Sequence, residues 1–263
     1  MEVRDARVLL TGASGGIGQV IARGLAERGA RLLLSGRRMD ALEALAAELD
    51  AAVLPADLSD PAAPETLARE AGHVDVFVSN AALPADGQIE DYTPEQIDRA
   101  LFVNLRAPIF LARALAPAMV ERGRGHIVLM SSIGGIATTP GSALYSATKF
   151  GVRGFGLALR QDLRGTDVGV TVIHPAFIDE AGMFAESGVK LPPGAPTRSP
   201  RDVAEAVVRA IERGPAEIMV APILLRVGTH LAGLAPAPLA AISRHLGSHR
   251  IQAQLAEAHR SKR

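Results

Sequence analysis

Short apolar runs alternate with longer runs rich in Ala and Leu along most of the 263-residue chain, and this order is the strongest constraint on its fold. The runs at 8–10, 31–34 and 74–78 are mostly apolar. Strands that are apolar on both faces are typical of a parallel sheet covered by helices on both sides. Seven such runs predict a single α/β domain with a doubly wound, seven-stranded parallel sheet.

The remaining elements follow from the same pattern. Further strands are expected at 52–54, 126–130, 169–174 and 217–220, and helices at 39–49, 61–70, 94–122, 142–164 and 200–213, with one more from residue 16 to about 28. Pro108 and Pro117 are expected to bend or break the helix over 94–122. We interpret 180–199, rich in Gly and Pro, as a substrate loop, and 222–263 as an apolar C-terminal extension of two or three short helices.

Composition excludes several classes of function. The chain has 28 basic and 28 acidic residues, which argues against a nucleic-acid partner. Cysteine is absent, so disulfides, thiolate metal sites and a cysteine nucleophile are excluded. The seven histidines are scattered and no His-Glu-x-x-His occurs, so we expect no metal site.

The chain offers neither a signal peptide nor a membrane span at the sequence level. Its first residues are charged and lead directly into a strand. The longest uncharged stretch near the C-terminus, 227–243, is shorter than the ~20 apolar residues that a spanning helix needs. We therefore expect a cytoplasmic protein without a transmembrane segment.

A glycine-rich turn follows the first strand and opens a helix. It reads Thr-Gly-Ala-Ser-Gly-Gly-Ile-Gly, with Gly12, Gly16 and Gly18 at the spacing Gly-x-x-x-Gly-x-Gly. Glycine lets a phosphate approach the backbone, and the helix N-terminus supplies N–H groups for it. The turn predicts a dinucleotide site, with Ser14 and Ile17 as further contacts, although a tight turn without ligand would share this pattern.

Other motifs occur in a fixed order after this turn. They are Asp57-Leu58 after the third strand, Asn80-Ala81 after the fourth, Asn104 in the long helix, Ser132 after the fifth, and the Tyr145-x-x-x-Lys149 pair. Together they resemble the short-chain dehydrogenase/reductase family over about residues 6 to 220. The resemblance implies a Rossmann-type fold, an NAD(P)-dependent oxidoreductase of carbonyl and alcohol groups, and a homodimer or homotetramer.

The same resemblance assigns roles to these residues. It implies that Tyr145 is the general acid and base, that Ser132 holds the substrate oxygen, and that Lys149 binds the cofactor ribose. It further implies that Asn104 positions a water in a proton relay, and that Asp57, Leu58, Asn80 and Ala81 contact the cofactor. From the residues themselves, Tyr145 and Lys149 share a helix face, so we expect the ammonium to lower the pKa of the phenol.

The end of the second strand indicates which cofactor is preferred. The run Ser-Gly-Arg-Arg offers Arg37 and Arg38 but no carboxylate for a ribose 2′-hydroxyl. An arginine binds a 2′-phosphate through charge-assisted bonds. We expect NADP(H) to be preferred, with NAD(H) also accepted.

The segment after the sixth strand departs from the family pattern. The family has Pro-Gly followed by Thr, whereas this chain has Pro175, Ala176 and then Glu180. Pro175 and Ile178 are still expected to contact the cofactor. The departure leaves a second hypothesis open, a non-catalytic NADP-binding sensor or scaffold. The apolar extension favours a lipophilic small-molecule substrate, or else an oligomer interface or membrane-facing patch.

Overall fold

A computed structural model of the chain describes residues 1–190, 197–234 and 248–260. Its sheet has seven strands, all parallel, in the order β3-β2-β1-β4-β5-β6-β7, which confirms the predicted fold class. The strands are β1 Arg7–Thr11, β2 Arg31–Ser35, β3 Ala52–Val53, β4 Val76–Ser79, β5 Gly125–Met130, β6 Val168–Pro175 and β7 Glu217–Val220.

Helices cover both faces of this sheet. They are α1 Gly16–Ala26, α2 Met39–Leu49, α3 Ala63–Ala71, α4 Pro94–Leu101, α5 Ala107–Glu121, α6 Ala143–Asp162, α7 Met183–Ser187, α8 Pro200–Arg213, α9 Ile223–Leu234 and α10 Ser248–His259. One core layer joins the sheet to α1, α2 and α8 through residues such as Ile21 and Val207. The other joins it to α3, α5 and α6 through residues such as Leu67 and Leu111.

The strand order reverses beside β1, and this position determines where a ligand site forms. β1 pairs with β2 on one side and with β4 on the other, so Thr11 lies level with both Ser35 and Ser79. All three polar residues are buried at the carboxyl ends of their strands. Parallel sheets bind ligands in the crevice that forms at the carboxyl ends of the strands where the strand order reverses.

The long helix differs from its prediction at the two prolines. It is continuous from Pro94 to Glu121, but residues Phe102–Arg106 form a π-helical turn between α4 and α5. Pro108 has no N–H for the Asn104 carbonyl and its ring would clash there, and a wider turn relieves that clash. Pro117 lies inside α5 without ending it, so the helix does not break at this proline.

The same helix, Pro94–Glu121, is long and apolar enough to cross a membrane by length and composition alone. Half of its apolar window is buried in the fold. Leu111 and Leu115, for example, belong to the core layer beneath the sheet. We therefore interpret it as a core helix.

Candidate active site

A cleft of about 580 Å³ opens at the carboxyl ends of β1, β2 and β4. Most of the predicted cofactor residues lie in its wall. They are Gly12, Ser14, Gly16, Ile17, Gly18, Arg37, Arg38, Asp57, Leu58, Asn80 and Ala81. The motifs that the chain separates by up to seventy positions are therefore brought together at one site.

The glycine-rich turn is packed so closely that it excludes side chains. Gly12 has φ +68°, and a Cβ atom there would lie 2.8 Å from the Ala81 backbone nitrogen. A Cβ atom on Gly18 would lie 2.1 Å from the Gly12 oxygen. The Asn80 amide donates to the carbonyls of Thr11 and Gly12, at 3.2 Å each. Asn80 thus fixes the turn that leads to the N-terminus of α1.

Cations and one unpaired hydroxyl surround the β2 end of the cleft. Arg38 donates to the Ser14 carbonyl, and Arg37 and Arg99 also line the wall. The buried Ser35 hydroxyl has no hydrogen-bond partner among the described residues. The glycine cradle, the arginines and this hydroxyl fit the phosphates and ribose of a dinucleotide.

Asp57 lies opposite these arginines as a carboxylate. Burial opposes its ionisation, but hydrogen bonds from the Ser59 amide and hydroxyl favour it, as do the charges of Arg37 and Arg99. The net effect holds the pKa of Asp57 below its usual range. The acid is therefore available at neutral pH as a hydrogen-bond acceptor in the wall of the cleft.

Tyr145, Lys149 and Ser132 meet where α6 faces the end of β5. Lys149 is buried and donates from Nζ to the Met130 carbonyl at 3.0 Å. Its Nζ atom lies 5.7 Å from the centroid of the Tyr145 ring. A Cβ atom on Gly134 would lie 3.3 Å from Tyr145 Cε1 and 3.6 Å from Ser132 Oγ. Glycine at 134 therefore lets the serine and the phenol share one small space.

Burial dominates the electrostatics of this cluster. It raises the pKa of Tyr145 to about 12, although the hydrogen bond with Ser132 acts in the opposite direction, and the charge of Asp86 raises it further. Burial also lowers the pKa of Lys149 to about 8. The expected lowering of the Tyr145 pKa is therefore wrong for this structure, because burial disfavours the phenolate more than the hydrogen bond with Ser132 favours it.

A buried histidine supports Ser132 from below. The Ser132 hydroxyl accepts from Gly134 N at 3.1 Å, and its carbonyl accepts from His174 Nδ1 at 3.1 Å. His174 Nε2 contacts Glu217 Oε1 at 2.8 Å, and Glu217 also pairs with Arg153 on α6. The sequence analysis missed this network, whose only sequence signal is a histidine directly before Pro175.

Asn104 lies in the π-helical turn and is 1% exposed. Its Oδ1 accepts from Leu83 N at 2.6 Å, and its Nδ2 donates to Leu83 O at 2.9 Å. The side chain therefore anchors the segment that follows β4 and lines the cleft.

The segment after β6, where the sequence departs from the family pattern, first extends the sheet. Ala176 donates its N–H to the Val220 carbonyl. Glu180 has φ +64°, and its side chain is exposed. Pro175 O lies 3.5 Å from Ser132 Oγ, whereas Ile178 packs into the core at 3% exposure.

The residues of this segment that do line the cleft were missed. They are Gly182, Met183 and Glu186. They lie in or next to α7, a five-residue helix inside the predicted substrate loop 180–199. No spacing rule distinguishes them in the sequence, because their place depends on how the loop packs on the glycine-rich turn.

The family model of the short chain dehydrogenases matches residues 6–191. The chain belongs to the short-chain dehydrogenase/reductase family. A relative from Bos taurus, named dehydrogenase/reductase SDR family member 7B, is 35% identical over 256 residues, which cover 89% of this chain and 79% of the relative. By class the chain is therefore a dehydrogenase/reductase.

Solved structures of this family have the same fold. A short-chain dehydrogenase from Sphingobium yanoikuyae in complex with NADPH is 30% identical, with a TM-score of 0.76, and the match covers 89% of this chain and 95% of that one. A 3-ketoacyl-(acyl-carrier-protein) reductase from Brucella melitensis, complexed with NADH, is 26% identical with a TM-score of 0.75 and coverage of 84% and 98%. One of these neighbours holds NADPH, which carries a ribose 2′-phosphate, and the other holds NADH, which lacks it.

Proposed function

We propose that the protein is an NADP-dependent oxidoreductase that interconverts a ketone or aldehyde and an alcohol, with Tyr145 as the general acid and base. The observation that carries this proposal is the convergence of Tyr145, Ser132 and the buried Lys149 at the end of β5, the strand next to β4, whose end leads into a cleft that fits a dinucleotide. Bound NADPH supplies a hydride to the carbonyl carbon. The chain's own residues orient the carbonyl and supply the proton.

The protonation states of the cluster favour reduction. A phenol with a pKa near 12 stays protonated at neutral pH, which is the state that donates to a forming alkoxide. Ser132 shares its space and binds the same substrate oxygen. Lys149, with a pKa near 8, is mostly an ammonium at pH 7 and stabilises the phenolate left after transfer. Asn104 supports the site by fixing the segment at Leu83.

The preference for NADP(H) rests on the arginines after β2. Arg37 and Arg38 line the cleft close to the free Ser35 hydroxyl, with no carboxylate in that turn. A charge-assisted bond is worth about 1.5–3 kcal/mol, or roughly 10- to 100-fold in kcat/KM. Arg37→Asp should lower kcat/KM for NADPH by that factor and leave NADH nearly unchanged. The preference is refuted if wild type uses NADH as well as NADPH and the variant keeps the same ratio.

A substrate screen with labelled cofactor tests the activity itself. NADPH carrying deuterium at the transferable C4 position is incubated with a panel of ketones and aldehydes, and products are analysed by mass spectrometry. One deuterium bound to the carbinol carbon is the expected result. If NADPH binds but transfers deuterium to none of the ketones and aldehydes, the result favours a non-catalytic sensor or scaffold. That function remains the second candidate because the segment at Ala176 and Glu180 departs from the family pattern.

The C-terminal region bears on substrate and assembly. On α9, Ile223, Leu224 and Leu234 are 73%, 80% and 84% exposed. Such an apolar surface is suited to contact with a lipophilic substrate, with another copy in a homodimer or homotetramer, or with a membrane. A cytoplasmic location remains part of the proposal. Light scattering and the substrate screen are compared for the full chain and a chain ending at Pro222. Unchanged assembly and unchanged substrate range would refute a role for this region in either.

A further inference from the structure

Residues 181–183, which follow β6, lie directly on the glycine-rich turn. A Cβ atom added to Gly16 would come within 2.9 Å of the Ala181 Cβ atom. One added to Gly182 would come within 2.6 Å of Ile17 Cδ1. Because Gly182 and Met183 also line the cleft, a dinucleotide held there would lie next to them.

Helix α7 is short and only partly buried. It has five residues, and none of them is fully buried. Gly182 before it and Gly188 after it have φ of +90° and +68°, a region that glycine adopts without steric penalty. Its described anchors include a contact between the rings of Phe184 and Phe177, with centroids 5.0 Å apart, and a hydrogen bond from His259.

His259 is the last residue of α10, and its ring joins two walls of the cleft entrance. Nε2 lies 3.0 Å from the Met183 carbonyl oxygen, and Nδ1 lies 3.1 Å from Asp86 Oδ2. The side chains of His259 and Asp86 are only 3% and 13% exposed, which shields both bonds from water.

The two partners belong to different parts of the site. Met183 begins α7, whereas Asp86 lies in the segment after β4, which Asn104 fixes through Leu83. Leu255, one turn before His259, is 5% exposed, so this face of α10 is packed against the protein. The histidine thus connects α7, which is only partly buried, to the segment after β4 that Asn104 fixes.

We propose that His259 is a positioning residue that holds α7 closed over the cofactor cleft, so that the C-terminal helix governs how fast the dinucleotide leaves. This inference rests on the dinucleotide binding proposed above. It assigns to the C-terminal extension a function in the cofactor cycle.

Release of NADPH from the full-length protein measures this effect directly. NADPH fluorescence is followed in a stopped-flow instrument while excess NADP⁺ displaces it. We expect His259→Ala to release NADPH about 10-fold faster than wild type or more, and His259→Gln, which keeps one donor, to lie between them. Glu257→Gln is the matched control, since Glu257 is on the same helix, 75% exposed and paired only with Arg260 among the contacts described. This variant should release NADPH at the wild-type rate.

Hydrogen exchange separates closure from general stability. In cofactor-free His259→Ala, amides of residues 182–188 should exchange faster than in Glu257→Gln, while amides of β5 and β6 remain equally protected. A release rate within twofold of wild type in His259→Ala, or faster exchange spread evenly over the protein, would overturn the proposal. Failure of every variant and of wild type to bind NADPH would instead refute the proposed function, and the exchange result would still report whether the contact holds α7.

Discussion

The pKa of Tyr145 can be measured almost in isolation, because the chain has two tyrosines and no tryptophan. The other phenol, Tyr92, is buried, and Tyr92→Phe leaves Tyr145 as the sole source of tyrosinate absorbance. Burial raises the pKa of Tyr145 from 10 to about 12, a cost of roughly 3 kcal/mol for forming the phenolate. At pH 10 this predicts roughly 1% ionisation in the folded protein, against about half for an ordinary tyrosine.

Ultraviolet difference spectra of Tyr92→Phe provide the assay. The folded protein at pH 10 should show almost no tyrosinate, and the same sample in denaturant should show about half of the full signal. Circular dichroism at pH 10 confirms that the first sample is folded. Equal tyrosinate signals from folded and unfolded samples would refute the reasoning, because burial would then not raise the pKa of the Tyr145 phenol.

Two further predictions concern stability and the glycine-rich turn. Burial lowers the pKa of His126 from 6.5 to about 4. The stability that comes from keeping this side chain neutral is therefore fully present above pH 6.5 and is lost as the pH falls towards 4. Urea unfolding should show about 2 kcal/mol less stability from this residue at pH 5 than at pH 7, and a His126→Gln variant with the same pH dependence as wild type would contradict this. Gly18→Ala places a Cβ atom 2.1 Å from the Gly12 oxygen, so we expect a loss of about 1–3 kcal/mol in stability and at least 10-fold weaker NADPH binding by fluorescence titration. Gly154→Ala, in open space on α6, is its control and should be neutral or slightly stabilising; equal behaviour of the two variants would show that the turn tolerates a side chain.

The sequence was sufficient for the sheet and for most of the cleft. Apolar strands separated by helices allow few arrangements other than a covered parallel sheet. The turn at Gly12, the pair Asn80 and Ala81, and the Tyr145–Lys149 spacing are local patterns attached to strand ends. Once the sheet is parallel, those ends meet at one edge, so the motifs are brought together without further information.

The missed features depend on contacts between distant parts of the chain or on burial. His174 meets Glu217 across 43 positions, and His259 meets Asp86 across 173, with no local pattern to announce either pair. Spacing showed that Lys149 lies near Tyr145, but spacing cannot show how deeply both are buried. The direction of the Tyr145 pKa shift was therefore predicted wrongly, although the structure does place the two side chains near each other.

Turnover and NADPH binding in Tyr145→Phe, compared with the same quantities in Tyr92→Phe, test whether Tyr145 donates the proton. On the best substrate from the screen, we predict at least a 100-fold loss of kcat in Tyr145→Phe, because proton transfer by a positioned group is worth about 10²–10⁴-fold. NADPH should still bind within about threefold of wild type, and Tyr92→Phe should keep most of its turnover. Turnover by Tyr145→Phe at the wild-type rate would contradict the account, because the proton would then come from another group.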